Sequence, residues 1–358
     1  MYSIGGWFID TVGARRGFTI IVIFWSIVSM FHAAAGNIFH LYVFRFLLGV
    51  GEGGNYPASA KVTSAWFPPN ERSTAVGIYN MGSSMGAIVA PPLVAFITYY
   101  WGWRQAFIIT GFSGFIWLIL WRLLFYDPKN HNRLNDDERE YILKQQVDGG
   151  QVQQKVPIRK LFKFPEVWAL VGARFLTEQV WIFYVAWLPK YLREARGFSL
   201  FEVGVTAWIP FLAGGLGGVF AGWISKFPIQ RGYDPVKVRK MIMLILACLM
   251  TVSAIAGITS SSVLCITMVC IACAAHNGFT VHCVTLIMDT FPTKVIGTIT
   301  GFSGTGGAIG VLIASPIIGS IVDRTGSYLS IFMVYSFLHI VATGWVYLML
   351  KKKRYEEV

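Results

Sequence analysis

Two pairs of charged residues stand in stretches that are otherwise apolar: Arg45 with Glu52, and Arg174 with Glu178. Arg45 and Glu52 are seven residues apart, which places them on one face of a helix but about 10 Å apart along its axis, so a direct ion pair would be strained. An arginine can donate two hydrogen bonds to a carboxylate ligand, and a carboxyl group can bind and release a proton. The spacing predicts a ligand contact at Arg45 and a proton-coupling site at Glu52, with salt bridges to another helix as the alternative.

Arg174 and Glu178 are four residues apart, within reach of each other on a helix. They are interpreted either as a mutually neutralised pair or, for Glu178, as a contact for a polar ligand. His276 and Asn277 could donate and accept hydrogen bonds with sugar hydroxyls, or could bond to another helix. Further candidates for ligand contact, with helix packing as the alternative for the aromatic rings, are Asn55, Asn80, Trp181 and Tyr184.

The elements that must position these residues are membrane-spanning helices. Hydrophobic residues make up 55% of the 358, charged residues only 13%, and the mean hydropathy is +0.57. A soluble domain carries roughly 25% charged residues. The apolar runs are continuous and about 20 residues long, as spanning helices require, and they do not alternate as the strands of a membrane barrel do. The sequence predicts an all-α membrane protein with ten spans, at 17–36, 41–64, 73–98, 104–125, 166–188, 201–226, 239–258, 262–288, 297–321 and 328–350.

The sequence does not favour an enzyme. It contains no phosphate-binding loop and no nucleophile-base set, and we expect no cofactor. All five cysteines fall inside predicted spans and are interpreted as small apolar residues, so no metal site is expected. The partners that this composition favours are a small anionic substrate, protons and the lipid bilayer, and we expect a monomer.

The net charge of +12 does not indicate a surface for nucleic acid, because the basic residues are distributed according to the predicted membrane topology. Most of the 30 Lys and Arg residues fall on one side of the predicted spans, which the positive-inside rule assigns to the cytoplasm. We therefore expect the C-terminus to be cytoplasmic, in a plasma (inner) membrane. The one long polar stretch, 126–165, is predicted to be a cytoplasmic linker between an N-terminal helical bundle, 1–125, and a C-terminal bundle, 166–350, with a cytoplasmic tail at 351–358.

The two bundles contain an internal repeat. Residues 67–92 and 291–316 align at a constant offset, and Gly77, Gly82 and Gly86 match the glycines at 301, 306 and 310. Glycines at four-residue spacing allow helices to approach closely. Both copies follow a predicted cytoplasmic loop and run outward, which indicates a parallel duplication around a central cavity, an arrangement that suits alternating access.

Several motifs resemble those of one transporter family. The segment Gly6-Trp-Phe-Ile-Asp10-Thr-Val-Gly13-Ala-Arg15-Arg16 resembles the loop between the second and third helices of the major facilitator superfamily. Other segments resemble its anion:cation symporter family, and the last of them its hexuronate and sugar-acid transporters: Arg45 to Pro57, Trp66 to Arg72, Trp187-Leu-Pro-Lys-Tyr191, and Ala275-His-Asn-Gly278 followed by Asp289-Thr-Phe-Pro292.

The resemblance implies two pseudo-symmetric six-helix bundles and proton-coupled import of a sugar acid such as a hexuronate. It also implies that Asp10, Arg15 and Arg16 form a gating latch on the cytoplasmic side. Alternatives are an organic-anion exchanger or exporter of the same superfamily, or a receptor that does not transport. Against the exporter, the segment from Gly82 to Gly86 lacks the Gly-Pro pair that antiporters of the superfamily tend to have in their fifth helix.

The repeat also permits a comparison of the two halves. The second half holds six predicted spans, whereas the first holds four and a short apolar remnant at 1–9. By the family pattern, the first helix and most of the second would be missing. A genuine ten-span protein is the alternative.

Overall fold

A computed structural model describes residues 1–128, 131, 133–144 and 158–350 of the chain. The linker at 126–165 lies partly, and the tail at 351–358 wholly, outside these residues. The described part is helical and contains no strand. Its helices are α1 (Tyr2–Val12), α2 (Ala14–Phe31), α3 (Ile38–Glu52), α4 (Asn55–Trp66), α5 (Pro69–Trp101), α6 (Trp103–Leu124), α7 (Asp136–Lys144), α8 (Ile158–Leu161), α9 (Pro165–Glu194), α10 (Leu200–Thr206), α11 (Ile209–Ile224), α12 (Lys226–Gln230), α13 (Pro235–Met250), α14 (Ser253–Ile258), α15 (Ser262–Thr290), α16 (Ile296–Thr325) and α17 (Leu329–Met349).

Within the described residues, eight helices are long and apolar enough to cross a membrane, and each corresponds to one of the ten predicted spans. The remaining two predictions, 41–64 and 166–188, fall on helices that do not meet this standard. The first is divided into α3 and α4, of 15 and 12 residues. The second is the single helix α9, which carries charged residues along its length, among them Arg174 and Glu178.

Two of the helix breaks have an evident cause in proline. A proline has no N–H to donate, and its ring clashes with the carbonyl group four residues earlier, but it is tolerated in the first turn of a helix. Pro57 lies in the first turn of α4, and the break at Gly53-Gly54 is located where that clash would occur. Pro210 similarly lies in the first turn of α11, directly after the break that follows Thr206. Pro57 and Pro210 therefore explain why the helices are interrupted at these two positions.

Two of the three repeated glycine pairs pack differently in the two copies, whereas Gly77 and Gly301 both lie close to the backbone of another helix. A Cβ atom added at Gly306 would lie 2.8 Å from the Val171 carbonyl oxygen, and one at Gly310 would clash with the carbonyl oxygen of Phe175. α16 thus lies directly against the backbone of α9. At Gly82 and Gly86, which are the matching positions in α5, an added Cβ atom would meet nothing within 4 Å. Close packing therefore accounts for the glycines of the second copy but not for these two.

The chain forms two compact units, each assembled from separate stretches. One comprises Met1–Pro68, Val89–Lys155 and Phe291–Gly304, and the other Pro69–Ile88, Val156–Thr290 and Thr305–Val358. The first has an apolar core that includes Ile9, Phe18 and Val22. The core of the second is richer in aromatic rings, with Phe183 and Tyr191 packed against Phe332 at centroid distances of 5.3 and 5.0 Å.

Candidate functional site

In the first unit, Arg45, Glu52 and Asn55 are all exposed. Arg45 and Glu52 lie on α3, and Asn55 begins α4 just beyond the break. Among the described residues, none of the three makes an ion pair or a hydrogen bond through its side chain, although Glu52 lies in the electrostatic field of Arg45. The arrangement leaves a cation and a carboxylate on the same helix, each with its polar groups accessible.

Asp10 of the predicted latch contacts Lys61 rather than the two arginines. Its Oδ1 lies 2.9 Å from Lys61 Nζ and also accepts a hydrogen bond from the Gly297 amide at 3.2 Å. Its Oδ2 accepts from the amide and the hydroxyl of Thr298, at 2.6 and 2.7 Å. The first amides of a helix lack partners within it and favour a negative charge, so Asp10 caps the start of α16.

Arg15 lies in the first turn of α2, which is separated from α1 by Gly13, whose φ of 89° favours glycine. Its Nη2 donates to the Arg122 carbonyl oxygen at 3.0 Å, and Arg16 is exposed. The predicted latch joined Asp10 with Arg15 and Arg16, whereas in the structure Asp10 pairs with Lys61 and Arg15 binds the Arg122 carbonyl oxygen. Asp10 lies outside the candidate spans; burial raises the pKa of its carboxyl group, although Lys61 and Thr298 stabilise the charged form.

In the second unit, Arg174 and Glu178 form a salt bridge with a distance of 2.6 Å between Nη2 and Oε2. The side chain of Glu178 is 24% exposed and that of Arg174 10%. The helix spacing brings the two together, as the sequence indicates, and Glu178 remains partly accessible to a polar ligand.

His276 belongs to a buried cluster with His339 and Trp181. Its Nδ1 lies 3.1 Å from His339 Nε2, and its ring stacks on Trp181 at a centroid distance of 5.7 Å and an angle of 8°. His276 is 3% exposed and His339 0%. The imidazole of His276 is therefore already engaged with another helix, which was the alternative that the sequence left open, whereas Trp181 is only half-buried.

The other predicted contacts differ in accessibility. The Asn277 amide donates to the Cys273 carbonyl oxygen at 3.2 Å and remains half-buried. Asn80 is 7% exposed. Tyr184 is fully buried, and its hydroxyl lies 2.7 Å from Ser253 Oγ. Tyr184 therefore packs in the core, and contact with a ligand would require this core to open.

The second unit also contains a buried ionic network that the sequence analysis did not identify. Asp289 lies 2.8 Å from Arg72 Nη1 through Oδ1 and 3.1 Å from Arg239 Nε through Oδ2, and both arginines are at most 1% exposed. Arg239 also donates to Ser225 Oγ and to the Pro69 carbonyl oxygen. The predicted span 239–258 begins at Arg239, but spacing along the chain does not predict its partners; the motifs that end at Arg72 and begin at Asp289 were the available signal.

Both ionic networks join parts of the chain that are distant in sequence. Within the first unit, Asp10 connects α1 to α16; within the second, Asp289 connects α15 to α5 and α13. All of these contacts lie near helix ends. Across the described ranges, no group of three His, Cys, Asp or Glu residues is arranged to hold a metal ion.

Comparisons with known proteins agree on one class. A model of the Major Facilitator Superfamily matches residues 1–315. The hexuronate transporter of Escherichia coli (strain K12) is 30% identical over 362 residues, which cover 100% of this chain and 83% of the relative. The galacturonate transporter of Dickeya chrysanthemi is 32% identical over 278 residues, covering 77% and 79% of the two chains. The probable galactarate/D-glucarate transporter GudP of Bacillus subtilis (strain 168) is 29% identical, covering 90% and 74%.

Solved structures show the same fold at lower identity. The proton:xylose symporter XylE bound to 6-bromo-6-deoxy-D-glucose superposes with a TM-score of 0.76 at 15% identity, covering 98% of this chain and 82% of that one. The human organic anion transporter MFSD10 gives a TM-score of 0.70 at 14% identity, with 96% and 80% covered. At these identities the likeness concerns the fold alone.

Proposed function

Because the chain belongs to the Major Facilitator Superfamily, and is a transporter rather than an enzyme, we propose that it imports a hexuronate or a related sugar acid together with protons. The observation that carries the proposal is the pair of accessible charges on α3. Arg45 has no ion-pair partner among the described residues, and a charge without a partner is costly inside a membrane. An anionic substrate would supply the missing countercharge.

The relatives support the choice of substrate class. Their names specify hexuronate, galacturonate and galactarate or glucarate, all of which carry a carboxylate beside several hydroxyl groups. We propose that Arg45 binds the carboxylate with its two-pronged guanidinium group. We propose further ligand contacts at Asn55 in the first unit and, within the second unit, at Asn80, Glu178, Trp181 and Asn277. The His276 ring stacks on that of Trp181.

We propose that Glu52 couples transport to protons. It is exposed on the same helix as Arg45, so a substrate carboxylate and a charged Glu52 would repel each other unless a proton neutralised one of them. Alternating access would then require the contacts of Asp10 and of Asp289 to break and re-form. Since each network joins distant parts of the chain, its rupture would release helices from one another.

The test uses Glu52→Gln, which mimics the protonated carboxyl group at every pH. In vesicles containing the purified protein, accumulation of a labelled hexuronate driven by a pH gradient should be lost. Exchange of internal for external substrate should survive, because exchange needs no net proton movement. The matched control is Glu194→Gln, since the Glu194 side chain is 54% exposed. Its contacts are loose, with Lys190 Nζ at 3.9 Å and the Tyr328 hydroxyl at 3.5 Å.

Unchanged accumulation by Glu52→Gln would refute the coupling role of Glu52. If the unmodified protein exchanges substrate but does not accumulate it under any pH gradient, the exchanger alternative is correct instead. If no sugar acid is bound or moved, the substrate class itself is wrong.

A further inference from the structure

Two arginines lie far from the ends of the predicted spans. Arg45 on α3 and Arg174 on α9 are each about two helical turns or more from either end of the helix, whereas the other lysines and arginines of these spans lie closer to an end. A long side chain near a helix end can extend to the membrane surface, but a cation far from the ends needs a countercharge. Arg45 and Arg174 therefore bear on how much negative charge a substrate can bring with it.

The countercharge of Arg174 is supplied by the protein itself. Its Nη2 lies 2.6 Å from Glu178 Oε2, and its side chain is 10% exposed. Helix α16 confines Glu178 there, since a Cβ atom added at Gly307 would lie 3.1 Å from the Glu178 Cβ atom and 3.2 Å from its Cγ atom. Arg45, by contrast, makes no ion pair among the described residues. Of the two arginines, the one in the second unit is thus neutralised and the one in the first unit is not.

The pair of Arg174 and Glu178 lies beside the proposed ligand contacts of the second unit. Glu178 precedes Trp181 by three residues on α9, so the two side chains share a face of that helix. Arg174 acts electrostatically on His276 of α15, whose ring stacks on that of Trp181 at a centroid distance of 5.7 Å. The Glu178 side chain is 24% exposed. A ligand group that reaches Trp181 would therefore come close to a carboxylate and to an arginine whose charge is already compensated.

Sugar acids fall into two classes by charge. Hexuronates and aldonates carry one carboxylate, whereas aldarates carry one at each end of the carbon chain, and both classes occur among the names of the relatives. Both carboxyl groups of an aldarate are ionised at neutral pH, because such groups have pKa values of about 4 in water. An ionised group that finds no countercharge, or that faces a like charge, is disfavoured in a poorly solvated site.

We propose that the substrate carries a single carboxylate and that Glu178 excludes aldarates by occupying Arg174. The carboxylate of a monoacid binds Arg45. The second carboxylate of an aldarate finds Arg174 already paired and is repelled by Glu178, so the selection uses a repulsive element as well as an attractive one. The accessible part of Glu178 still accepts hydrogen bonds from hydroxyl groups. This selection by charge rests on the proposed function, because it concerns the same substrate, and it decides between the two classes of sugar acid.

The experiment compares galactonate with galactarate, which differ only at C6, where galactarate has a carboxylate in place of a hydroxymethyl group. Each compound competes with labelled galacturonate for binding to the purified full chain in detergent at pH 7. Galactarate should compete at least about tenfold more weakly than galactonate, because its second charge has no partner. Glu178→Gln leaves the Arg174 guanidinium free, so it should improve galactarate relative to galactonate by about tenfold. A purely structural loss would weaken both compounds and would leave this ratio unchanged.

The matched control combines Glu178→Gln with Arg174→Met, which removes the acid without leaving a cation. This double variant should keep the preference for galactonate, and so should Glu194→Gln, whose side chain is 54% exposed. Thermal unfolding identifies any variant that fails to fold, and the comparison on the unmodified protein needs no variant.

The possible results separate the selection by charge from the proposed function. Galactarate that competes as well as galactonate with the unmodified protein would overturn the selection and leave the proposed function standing. An equal gain for galactarate in the single and the double variant would overturn the role of Arg174. If galacturonate, galactonate and galactarate all fail to bind, the proposed function is wrong and the selection falls with it.

Discussion

The buried network around Asp289 gives the sharpest stability prediction. Asp289→Asn removes a carboxylate shared by two arginines that are at most 1% exposed. Removing one partner of a buried ion pair typically costs about 3–5 kcal/mol, because the remaining charge is left uncompensated. Arg72 retains the Met288 carbonyl oxygen at 2.8 Å, and Arg239 retains Ser225 Oγ at 2.7 Å, so we expect a loss of about 3 kcal/mol, at the lower end.

The measurement is thermal unfolding of the purified protein in detergent, followed by tryptophan fluorescence. Glu194→Gln is the matched control, since it breaks an exposed pair and should cost at most about 1 kcal/mol. The double variant Asp289→Asn with Arg72→Met should be more stable than Asp289→Asn alone, because it buries one uncompensated charge instead of two. An Asp289→Asn protein that unfolds at the same temperature as its control would refute this reasoning, and so would a double variant weaker than the single one.

Three further predictions concern the ligand and the helix contacts. Arg45→Lys should reduce hexuronate uptake about tenfold, because an ammonium group cannot donate the paired hydrogen bonds; a neutral sugar that competes as well as the acid would contradict this. Gly310→Ala should lower the free energy of unfolding by about 1–3 kcal/mol, because the added Cβ would clash with α9. Gly86→Ala should raise it by up to about 1 kcal/mol, since alanine favours a helix and meets nothing there. A Gly86→Ala protein less stable than Gly310→Ala would exclude the packing account. Asp10→Ala should destabilise the protein more than Asp10→Asn, because asparagine can still accept hydrogen bonds at the start of α16, and equal effects would argue against that cap.

The sequence predicted the type of the elements well, because apolar length is a strong local signal. Eight of the ten predicted spans are helices long and apolar enough to cross a membrane, and the other two, 41–64 and 166–188, are helical without meeting that standard. The resemblance to the major facilitator superfamily is confirmed by the match to residues 1–315. The contact between Arg174 and Glu178 was predictable from spacing alone, since both residues lie on the same helix.

Contacts between distant segments were less predictable. The partner of Asp10 is Lys61, and the partner of His276 is His339, and neither pairing follows from spacing along one helix. Arg239 begins the predicted span 239–258, and nothing in its position predicted the three acceptors that hold it in the interior. The repeat likewise predicted equivalent glycines, whereas those at 82 and 86 face open space. Which residues are in contact depends on how the helices pack against one another, and the sequence of a single helix does not predict this.

The break between α3 and α4 has a consequence for how the protein enters the membrane. Pro57 leaves this segment as two short helices, and the segment also carries the charges of Arg45 and Glu52. A lone segment of this kind would expose unsatisfied backbone groups and two charges to hydrocarbon. During synthesis, we therefore expect this segment to depend on α2, which packs against both α3 and α4, before it can leave the translocon. The span Pro235–Ile258, formed by α13 and α14, has a mean hydropathy of 2.5 and the composition to enter unaided.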